Sequence, residues 1–336
     1  MPDTIAEPVV VTGATGFIGR RVVHRLRKDN VAVRALVLPD EPLPDQWGAD
    51  VDVIRGDIAD PVAVKTAVAG AGTVIHLAAV VSDWGDEAMY WALTVEGSRS
   101  VFEAAIADNA RVVLAASIAV YGDNIHRRAC PEESPWGRPM GPYSRTKQAQ
   151  EKLAWQFYEK NSMQLTVIRP ANVYGPGSGP WLHDVVDVLK SGAPGLIGGG
   201  NMNAGLAYVD NVADVLVLAA KTDAAIGRVY NCCDGLDVTW RDYFTDISTM
   251  IGVKAPSAIP RFAAKTSAIV CERVWRLLHI KKRPPITLEA LNLVGSDNRI
   301  PIDRMKNELG YVPRVSYDEG LQQTRAYLES IKGENT

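Results

Sequence analysis

Residues 8–28 read "PVVVTGATGFIGRRVVHRLRK". A run of β-branched residues comes first, a glycine-rich turn follows, and apolar residues then recur at the spacing of one helix face. These helix-face residues are Ile18, Val22, Val23 and Leu26. The order predicts a strand, a tight turn and a helix within one short segment.

Three glycines stand where such a turn needs them. Gly13 suits the bend that ends the strand, Gly16 a backbone that approaches a pyrophosphate, and Gly19 close packing of helix on strand. The start of the helix would then present unpaired N–H groups to the phosphates. For a glycine triplet taken alone, a tight turn with a purely structural role is the alternative.

More strand-like runs follow the first, separated by helical stretches at 61–69 and 88–107. The runs are "VAVRALV" (31–37), "VDVIRGD" (51–57), "GTVIHLAA" (72–79) and "RVVLAAS" (111–117). Alternating helices and nearly continuous apolar strands are typical of a parallel sheet covered on both faces. We therefore predict an α/β fold with a Rossmann-type doubly wound parallel sheet.

Ligands of such sheets bind outside the carboxyl ends of the strands. The residues that close these strands are Asp57, Ile58, Leu77, Ala78, Ala79 and Ser117. The small side chains of Ala78 and Ala79 suit a surface on which a dinucleotide lies closely, although simple packing explains that pair equally well.

The stretch "GPYSRTKQAQ" (141–150) places Tyr143 and Lys147 about one turn apart at the start of a predicted helix over 143–160. Because Ser117 ends the preceding strand, the three side chains can converge at the cleft. A free tyrosine has a pKa of about 10, and lowering it to about 7 requires about 4 kcal/mol in favour of the phenolate. A fixed ammonium nearby is a suitable source of that energy. The alternative is an exposed pair along a surface helix.

Bulk composition narrows the function classes. The chain has 336 residues, 47% of them hydrophobic, which is enough for one large domain or two modest ones. Its net charge is −3 and its densest basic block is the short "IKKRPP" at 280–285, so we expect no nucleic-acid partner. Small-molecule chemistry is the better default.

The cysteines are scattered, with no CxxC pair and no histidine cluster, so we expect neither a metal site nor a disulfide framework. That pattern favours a reducing compartment. The first residues run into an apolar strand without the features of a secretory signal. We therefore expect a cytoplasmic protein.

Taken together, the motifs resemble the extended short-chain dehydrogenase/reductase family, also called the NAD-dependent epimerase/dehydratase superfamily, over nearly the whole chain. The motifs are "TGATGFIG" (12–19), "GDIAD" (56–60), "VIHLAA" (74–79), "SIAVYG" (117–122), "YSRTK" (143–147), "IRPANVYGPG" (168–177), "YVDNVADV" (208–215) and "LGYVPRVSYDEGL" (309–321). The resemblance implies hydride transfer between a nicotinamide and an oxygen-bearing carbon.

The resemblance also assigns roles. Tyr143 is the general base or acid, Lys147 holds the nicotinamide ribose and lowers the pKa of Tyr143, and Ser117 hydrogen-bonds the reacting oxygen. The remaining residues implied to bind the cofactor are Gly13, Thr15, Gly16, Phe17, Ile18, Gly19, Asp57, Ile58, Leu77, Ala78, Ala79, Pro170 and Val173. By the resemblance Asn172 is turned toward the substrate, and we also expect Trp84 and Ala119 to face it.

Departures from the family pattern are informative. Dehydratases of the family place an Asp-Glu pair after the catalytic hydroxyl residue, whereas this chain has Ile118 and Ala119 there. Asn203 and Ala204 stand where members that bind nucleotide diphosphates usually carry an arginine, and a second expected arginine has no clear counterpart. These differences argue against nucleotide sugars, unless Arg299 compensates.

The C-terminal stretch from "KKRPPITLEALNL" onwards is more similar to the branch of 3β-hydroxysteroid and sterol-4α-carboxylate dehydrogenases. Aromatic residues are available to line a large apolar pocket: Trp84, Tyr90, Trp91, Trp136, Trp181 and Trp240. Our first hypothesis is a dehydrogenase or reductase for the secondary alcohol or ketone of an apolar, steroid-like substrate. The alternatives are a sugar or nucleotide-sugar epimerase or reductase, and a non-catalytic NAD(P)-binding regulator.

The choice of nicotinamide depends on the end of the second strand, where an acidic residue favours NAD and a basic one favours NADP. This chain has Val37 and Leu38 there, followed by Asp40 and Glu41, which would repel a 2′-phosphate, while Arg34 lies inside the strand. We expect NAD as the cofactor and keep NADP as the alternative.

The looser pattern after about residue 175 suggests a second unit. We predict an NAD(P)-binding Rossmann domain over 1–174 and a smaller, mainly substrate-binding lobe over 175–336, with segments around 205–231 returning to the first domain. The amphipathic stretch 261–280 is either a membrane-surface helix or, as we favour, a packing helix with a solvated basic face. By the resemblance, helices 88–107 and 143–160 form the core of a homodimer.

Overall fold

A computed structural model of the chain describes residues 4–126 and 129–333. Its centre is a sheet of seven strands, all paired in parallel. From edge to edge the strands are β10 (Arg228–Cys232), β6 (Leu165–Pro170), β5 (Arg111–Ala115), β4 (Thr73–His76), β1 (Val9–Thr12), β2 (Val33–Val37) and β3 (Val51–Arg55). The predicted Rossmann-type doubly wound sheet is confirmed.

Helices cover both faces of this sheet because alternate strand residues point to opposite sides. Val9 and Val11 of β1 belong to one apolar cluster, together with residues of α1 (Phe17–Lys28) and α7 (Val209–Lys221). Val10 belongs to a second cluster on the other face. That cluster includes residues of α2 (Pro61–Val68), α4 (Gly97–Ala107) and α5 (Pro142–Asn161).

The predicted helix over 88–107 has a different form in the structure. A short α3 (Glu87–Tyr90) passes through a π-helical segment (Trp91–Glu96) into α4. The wider turn of a π-segment shifts the following side chains around the helix axis. In this segment Thr94 Oγ1 accepts a hydrogen bond of 3.1 Å from Val80 N, which fastens the loop after β4.

The second half of the chain adds short parallel strand pairs and further helices. β7 (Asn172–Tyr174) pairs with β9 (Leu206–Tyr208), and β8 (Leu196–Ile197) with β11 (Ala258–Ile259). The helices are α6 (Asp184–Ser191), α8 (Trp240–Ile251), α9 (Arg261–Leu277), α10 (Leu288–Val294), α11 (Asp303–Leu309) and α12 (Tyr317–Gly333). In the described ranges, no helix is long and apolar enough to cross a bilayer.

Part of this second half lies in the main sheet. β10 is an edge strand of that sheet beside β6, and α7 packs against α1. Both elements fall in or near the segment 205–231 that is expected to return to the first domain. The division at residue 174 itself stays a prediction.

Candidate active site

The glycine-rich turn between β1 and α1 forms a tight backbone cradle. Gly13 has a φ of +65°, and a Cβ atom there would lie 3.1 Å from Ala78 N. A Cβ atom on Gly19 would lie 2.1 Å from the carbonyl oxygen of Gly13. No side chain caps α1 at Gly16, so the start of the helix is available to an anion. This geometry fits the pyrophosphate of a dinucleotide.

The other residues expected to bind the cofactor lie around the carboxyl edge of the same sheet. They follow β1 (Thr15, Phe17, Ile18), β3 (Asp57, Ile58) and β4 (Leu77, Ala78, Ala79), end β6 (Pro170) or lie in β7 (Val173). β1 and β4 are neighbours at the point where the strand order reverses, which is where open α/β sheets bind ligands. The placement is the one that a dinucleotide needs, and the individual roles stay predictions.

Ser117 and Tyr143 meet at this edge. Ser117 follows β5, and its Oγ accepts a hydrogen bond of 3.1 Å from Ala119 N. Tyr143 lies in the first turn of α5 and is hydrogen-bonded to Ser117. Desolvation raises the pKa of Tyr143 to about 12; the bond to Ser117 opposes this increase, while Glu289 and Tyr90 add to it. Tyr143 is therefore a neutral phenol at physiological pH.

Lys147 lies one turn further along α5 and is almost completely buried. Its Nζ donates to Ala115 O at 2.8 Å and to Gln150 Oε1 at 2.9 Å. Burial lowers the pKa of Lys147 to about 7, although Glu151 acts in the opposite direction. The expected lowering of the Tyr143 pKa by Lys147 stays a prediction for the complex with the cofactor.

A buried chain of hydrogen bonds, which sequence analysis missed, continues from Lys147 to the glycine-rich turn. Gln150 Nε2 donates to Ser98 Oγ at 2.8 Å, and His76 Nε2 lies 2.8 Å from the same oxygen. Because Ser98 Oγ donates its own proton to Thr94 O, the His76 ring must donate through Nε2. The spacing of Lys147 and Gln150 on one helix face was the signal that could have found the first link.

The chain ends at Thr12, whose Oγ1 lies 2.7 Å from His76 Nδ1. The same hydroxyl accepts hydrogen bonds from the backbone N–H groups of Leu77 and Ala78, both at 3.1 Å. Desolvation and the charge of Lys147 lower the pKa of His76 to about 3. A histidine that is neutral at physiological pH thus connects the lysine to the backbone that is expected to contact the cofactor.

Glu289 of α10 is a second residue that sequence analysis missed. Its Oε1 accepts a hydrogen bond of 2.6 Å from Ser144 N, in the first turn of α5, where Gly141 has no side chain to act as a cap. Its Oε2 has no hydrogen-bond partner within the described residues. Desolvation raises the pKa of Glu289 to about 7; bonds to Ser144 oppose this increase and Asp83 adds to it. No local sequence signal marks this contact, because it joins residues 145 positions apart.

Tyr143, Ser117 and Glu289 open onto one cavity of about 490 Å³. Much of its lining is apolar: the apolar members include Val81, Ile118, Ala171, Trp181, Val185, Val188, Ile197, Phe244, Ile286, Leu291 and Val294. The charged members are Asp83, Asp184, Arg283 and Glu289. Arg283 is held by Asp83 through two contacts of 2.6 Å. The cavity is suited to a largely apolar molecule with an oxygen at one end.

The three residues expected to face the substrate differ in whether they line the cavity. Asn172 lines the cavity, and its Nδ2 donates to Ala204 O at 2.6 Å. Ala119 is buried and donates its N–H to Ser117, while its neighbour Ile118 takes the lining position. Trp84 donates through Nε1 to Ile280 O at 3.3 Å and is not among the lining residues. Roles in binding for these three residues stay predictions.

Of the six aromatic residues considered for the pocket walls, the cavity lining includes Trp181. Trp240 is buried behind it, with ring centroids 5.1 Å apart. Tyr90 is buried and donates to Ser82 O at 2.7 Å, whereas Trp91 is exposed. Trp136 lies beside Arg169, at 5.9 Å from ring centroid to guanidinium carbon. Most of these aromatic residues therefore contribute packing around the site.

Other basic residues singled out in the sequence lie away from the cavity. Arg299 pairs with Asp237 at 3.5 Å, and both side chains are exposed. Arg34 pairs with Asp52 at 2.6 Å, between β2 and β3. Neither residue is among those that line the cavity. In the described ranges, no group of three or more His, Cys, Asp or Glu side chains is arranged to hold a metal ion.

Comparison with known proteins agrees with this geometry. The chain is 29% identical over 331 residues to a 2-alkyl-3-oxoalkanoate reductase of Stenotrophomonas maltophilia (strain K279a), covering 95% of this chain and 98% of the relative. It is 27% identical over 343 residues to a 3beta-hydroxysteroid-dehydrogenase/decarboxylase of Arabidopsis thaliana (isoform 2), covering 94% of this chain and 61% of the relative. The predicted similarity to the hydroxysteroid dehydrogenase branch is confirmed.

Solved structures and family models agree as well. The crystal structure of gox2253 matches with a TM-score of 0.80 and 25% identity, covering 96% of this chain and 98% of that one. A model of the NAD dependent epimerase/dehydratase family matches residues 9–233, which contain the glycine-rich turn, Ser117, Tyr143 and Lys147. The protein is therefore an enzyme with NAD as its cofactor, and the chain belongs to the NAD dependent epimerase/dehydratase family.

Proposed function

We propose that this protein is an oxidoreductase that transfers hydride between the nicotinamide of NAD and the ketone or secondary alcohol of an apolar substrate. The observation that carries the proposal is the cavity of about 490 Å³, in which Ser117 and Tyr143 meet a largely apolar lining. The Stenotrophomonas maltophilia relative supports it, since its name describes an alkyl chain beside a 3-oxo group.

When bound, the cofactor would supply the hydride as NADH or accept it as NAD⁺. In the direction of reduction, the substrate oxygen would accept hydrogen bonds from Ser117 Oγ and Tyr143 Oη. As the carbonyl carbon gains hydride, Tyr143 donates its proton to the oxygen, which becomes a hydroxyl, and the phenolate then regains a proton from solvent. The phenol is protonated at neutral pH, as this acid role requires, and the charge of Lys147 would offset the pKa increase that burial causes.

Lys147 would contribute in two ways, by binding the cofactor ribose and by its positive charge. Two of its three N–H groups are occupied by Ala115 O and Gln150 Oε1, so the third is available to the expected cofactor ribose. Its ammonium would stabilise the phenolate that proton transfer leaves on Tyr143. The chain of hydrogen bonds through His76 fixes this arrangement before the cofactor binds.

The charges around the cavity disfavour a nucleotide diphosphate. Asp83, Asp184 and Glu289 are acidic members of the lining, and the guanidinium of Arg283 is already neutralised by Asp83. A diphosphate would need cations that are free to pair with it. We therefore favour an apolar ketone over a nucleotide sugar as the substrate.

The test is a screen that follows the absorbance of reduced cofactor. NADH and NADPH would each be combined with 2-alkyl-3-oxoacids, ketosteroids and nucleotide sugars, with Tyr143→Phe as the inactive control. Consumption of NADH with an apolar ketone supports the proposal. Turnover confined to nucleotide sugars, or isomers formed without net oxidation of NADH, would replace it with an epimerase.

We further propose that the enzyme is a cytoplasmic homodimer joined through α4 and α5. Trp155 and Tyr158 of α5 stack edge to face at 5.6 Å and remain half-buried in a single chain, as expected for residues that a partner completes. Cys232, Cys233 and Cys271 are thiols, which suits a reducing compartment. Sedimentation velocity tests the dimer, and a purely monomeric protein at micromolar concentration would exclude it.

A further inference from the structure

Helix α9 carries an unusual share of the exposed apolar surface. Five of the twelve exposed large apolar side chains in the described ranges belong to this helix or directly follow it. Four of them, Phe262, Val270, Val274 and Leu277, fall within about 120° of the helix circumference. We call these four residues the α9 apolar face; Phe262 and Leu277 are each 76% exposed, and Leu278 adjoins them.

Exposed cations lie along the edges of the α9 apolar face and, at Arg273, within it, in a chain whose net charge is −3. They are Lys265, Arg273, Arg276, Lys281 and Lys282. The acidic residue of α9, Glu272, is largely buried: its Oε1 accepts a hydrogen bond of 2.7 Å from Leu288 N, and its Oε2 lies 3.6 Å from the Arg276 guanidinium. This part of the surface therefore combines apolar side chains with a concentrated positive charge.

The opposite face of α9 forms the outer layer of the cavity wall. Ala264 and Ala268 are fully buried against Ile197 and Leu291, and both of these partners line the cavity. The C-terminal end of α9 lies beside the loop after β4, with the Arg276 guanidinium 5.4 Å from the centroid of the Trp84 ring. Val81, in the same loop, lines the cavity and is 61% exposed. Apolar surface thus extends from α9 towards an edge of the cavity.

Charge distinguishes between the two kinds of partner that could cover the α9 apolar face, a second copy of the chain and a lipid surface. A two-fold contact of α9 with its own copy would bring two sets of these cations into one interface, which opposes self-association. The surface of an anionic bilayer attracts those cations and accepts the apolar side chains at the boundary between headgroups and acyl chains. We propose that the α9 apolar face and its basic border dock this enzyme on an anionic lipid surface.

The docking itself is independent of what the cavity binds. Its consequence, entry of an apolar substrate from the bilayer past Val81, rests on the proposed function. Binding to vesicles and reduction of ketones are separate measurements, so failure of one is distinguishable from failure of the other.

The test is co-sedimentation of the full chain with vesicles. We expect binding to vesicles of equal parts phosphatidylcholine and phosphatidylglycerol, at least about tenfold weaker binding to phosphatidylcholine alone, and weakening by salt. The double variants Phe262→Ser/Leu277→Ser and Lys281→Glu/Lys282→Glu should each reduce the partition coefficient by about tenfold or more. Circular dichroism and NADH oxidation with a water-soluble ketone should stay at the wild-type level.

Matched controls alter equally exposed residues elsewhere on the surface. Val62→Ser/Val312→Ser removes exposed apolar side chains, and Lys28→Glu/Lys65→Glu reverses exposed charges. Both controls should bind vesicles as the wild type does. The proposal is overturned if the wild type ignores anionic vesicles, or if the controls weaken binding as much as the α9 variants. It is also overturned if Phe262→Ser/Leu277→Ser instead abolishes self-association, because the face would then bind a second copy.

Discussion

At the scale of single residues, burial shifts the pKa values of the ionisable groups in the site from their ordinary values. Burial favours the neutral forms of Tyr143, Lys147, His76 and Glu289. Hydrogen bonds to Ser117, Ala115 and Ser144 then fix where each group lies. The resting protein therefore has a neutral proton donor in position before substrate arrives.

Removing the phenolic hydroxyl tests that donor directly. Tyr143→Phe should lower kcat/KM by about 10²- to 10⁴-fold, because general acid–base catalysis contributes on that order. Affinity for NAD should change little, since the glycine-rich turn and Lys147 remain. Steady-state kinetics and NAD titration measure the two effects. Nearly wild-type turnover of this variant would exclude Tyr143 as the proton donor.

The charge of Glu289 should appear in the pH dependence of catalysis. A carboxylate there disfavours the Tyr143 phenolate, and Asp83, Tyr90 and the N-terminus of α5 also face this carboxyl. Glu289→Gln removes the charge but keeps an oxygen for Ser144 N. The limb of the pH–rate profile that reports Tyr143 should move to lower pH by about 0.5 pH unit.

Glu289→Ala is the companion variant, since it removes both the charge and the cap. It should shift the same limb and also lower the melting temperature, as loss of a helix cap costs about 1 kcal/mol. Proton linkage predicts a second effect, a dependence of folding stability on pH. Because burial raises the pKa of Glu289 to about 7, its contribution to stability is fully present below about pH 4.5 and is lost as pH rises through 7. Identical pH profiles for wild type and Glu289→Gln would rule out this influence on Tyr143.

At the scale of elements, α5 is fastened to its surroundings at several points along its length. Glu289 holds its first turn, Lys147 reaches the last residue of β5, and Glu151 pairs with Arg169 of β6 at 2.5 Å. The pair is almost entirely buried, and Arg169 also donates to Tyr121 Oη at 2.8 Å. These contacts set the position of Tyr143 relative to the sheet.

Breaking the buried pair should destabilise the protein strongly. Arg169→Met leaves the Glu151 carboxylate without its cation and should cost about 3–5 kcal/mol of unfolding free energy. The double variant Arg169→Met/Glu151→Leu removes both charges and should recover much of that loss. Urea denaturation measures the three free energies. A double variant as unstable as the single one would show that packing, and not charge, sets the cost.

At the scale of the whole molecule, the cavity is built from both halves of the chain. Ser117 and Tyr143 come from the sheet side, whereas Glu289, Leu291 and Val294 come from α10, next to α9. Asn292 Nδ2 ties α10 back to Gly122 O at 2.9 Å. The second half of the chain therefore both closes the cavity and holds the helix that carries Tyr143.

Cofactor binding should consequently stabilise the whole fold. NAD at about one hundred times its Kd should add about 2.7 kcal/mol to the free energy of unfolding. A thermal melt should record an increase in Tm of several degrees, and AMP alone should give less because it lacks the nicotinamide half. A Tm that does not respond to NAD would contradict the assignment of the glycine-rich turn as the dinucleotide site.

Much of this structure can be predicted from the sequence, because some constraints act between residues that are close along the chain. Glycine stereochemistry fixes the turn at Gly13, apolar periodicity fixes strands and helices, and helix geometry fixes the spacing of Tyr143 and Lys147. The fold followed from those local rules, whereas the family and the roles of the candidate catalytic residues came from the resemblance of the motifs. Trp84 and Ala119 are not among the cavity-lining residues, and their expected roles toward the substrate stay predictions.

What required the folded chain were contacts between distant residues and the burial that they create. The cap that Glu289 places on α5, the path from Lys147 through His76 to Thr12, and the exposed face of α9 all depend on which elements pack together. Desolvation is a property of the assembled interior, so no local pattern could predict the raised pKa values of Tyr143 and Glu289.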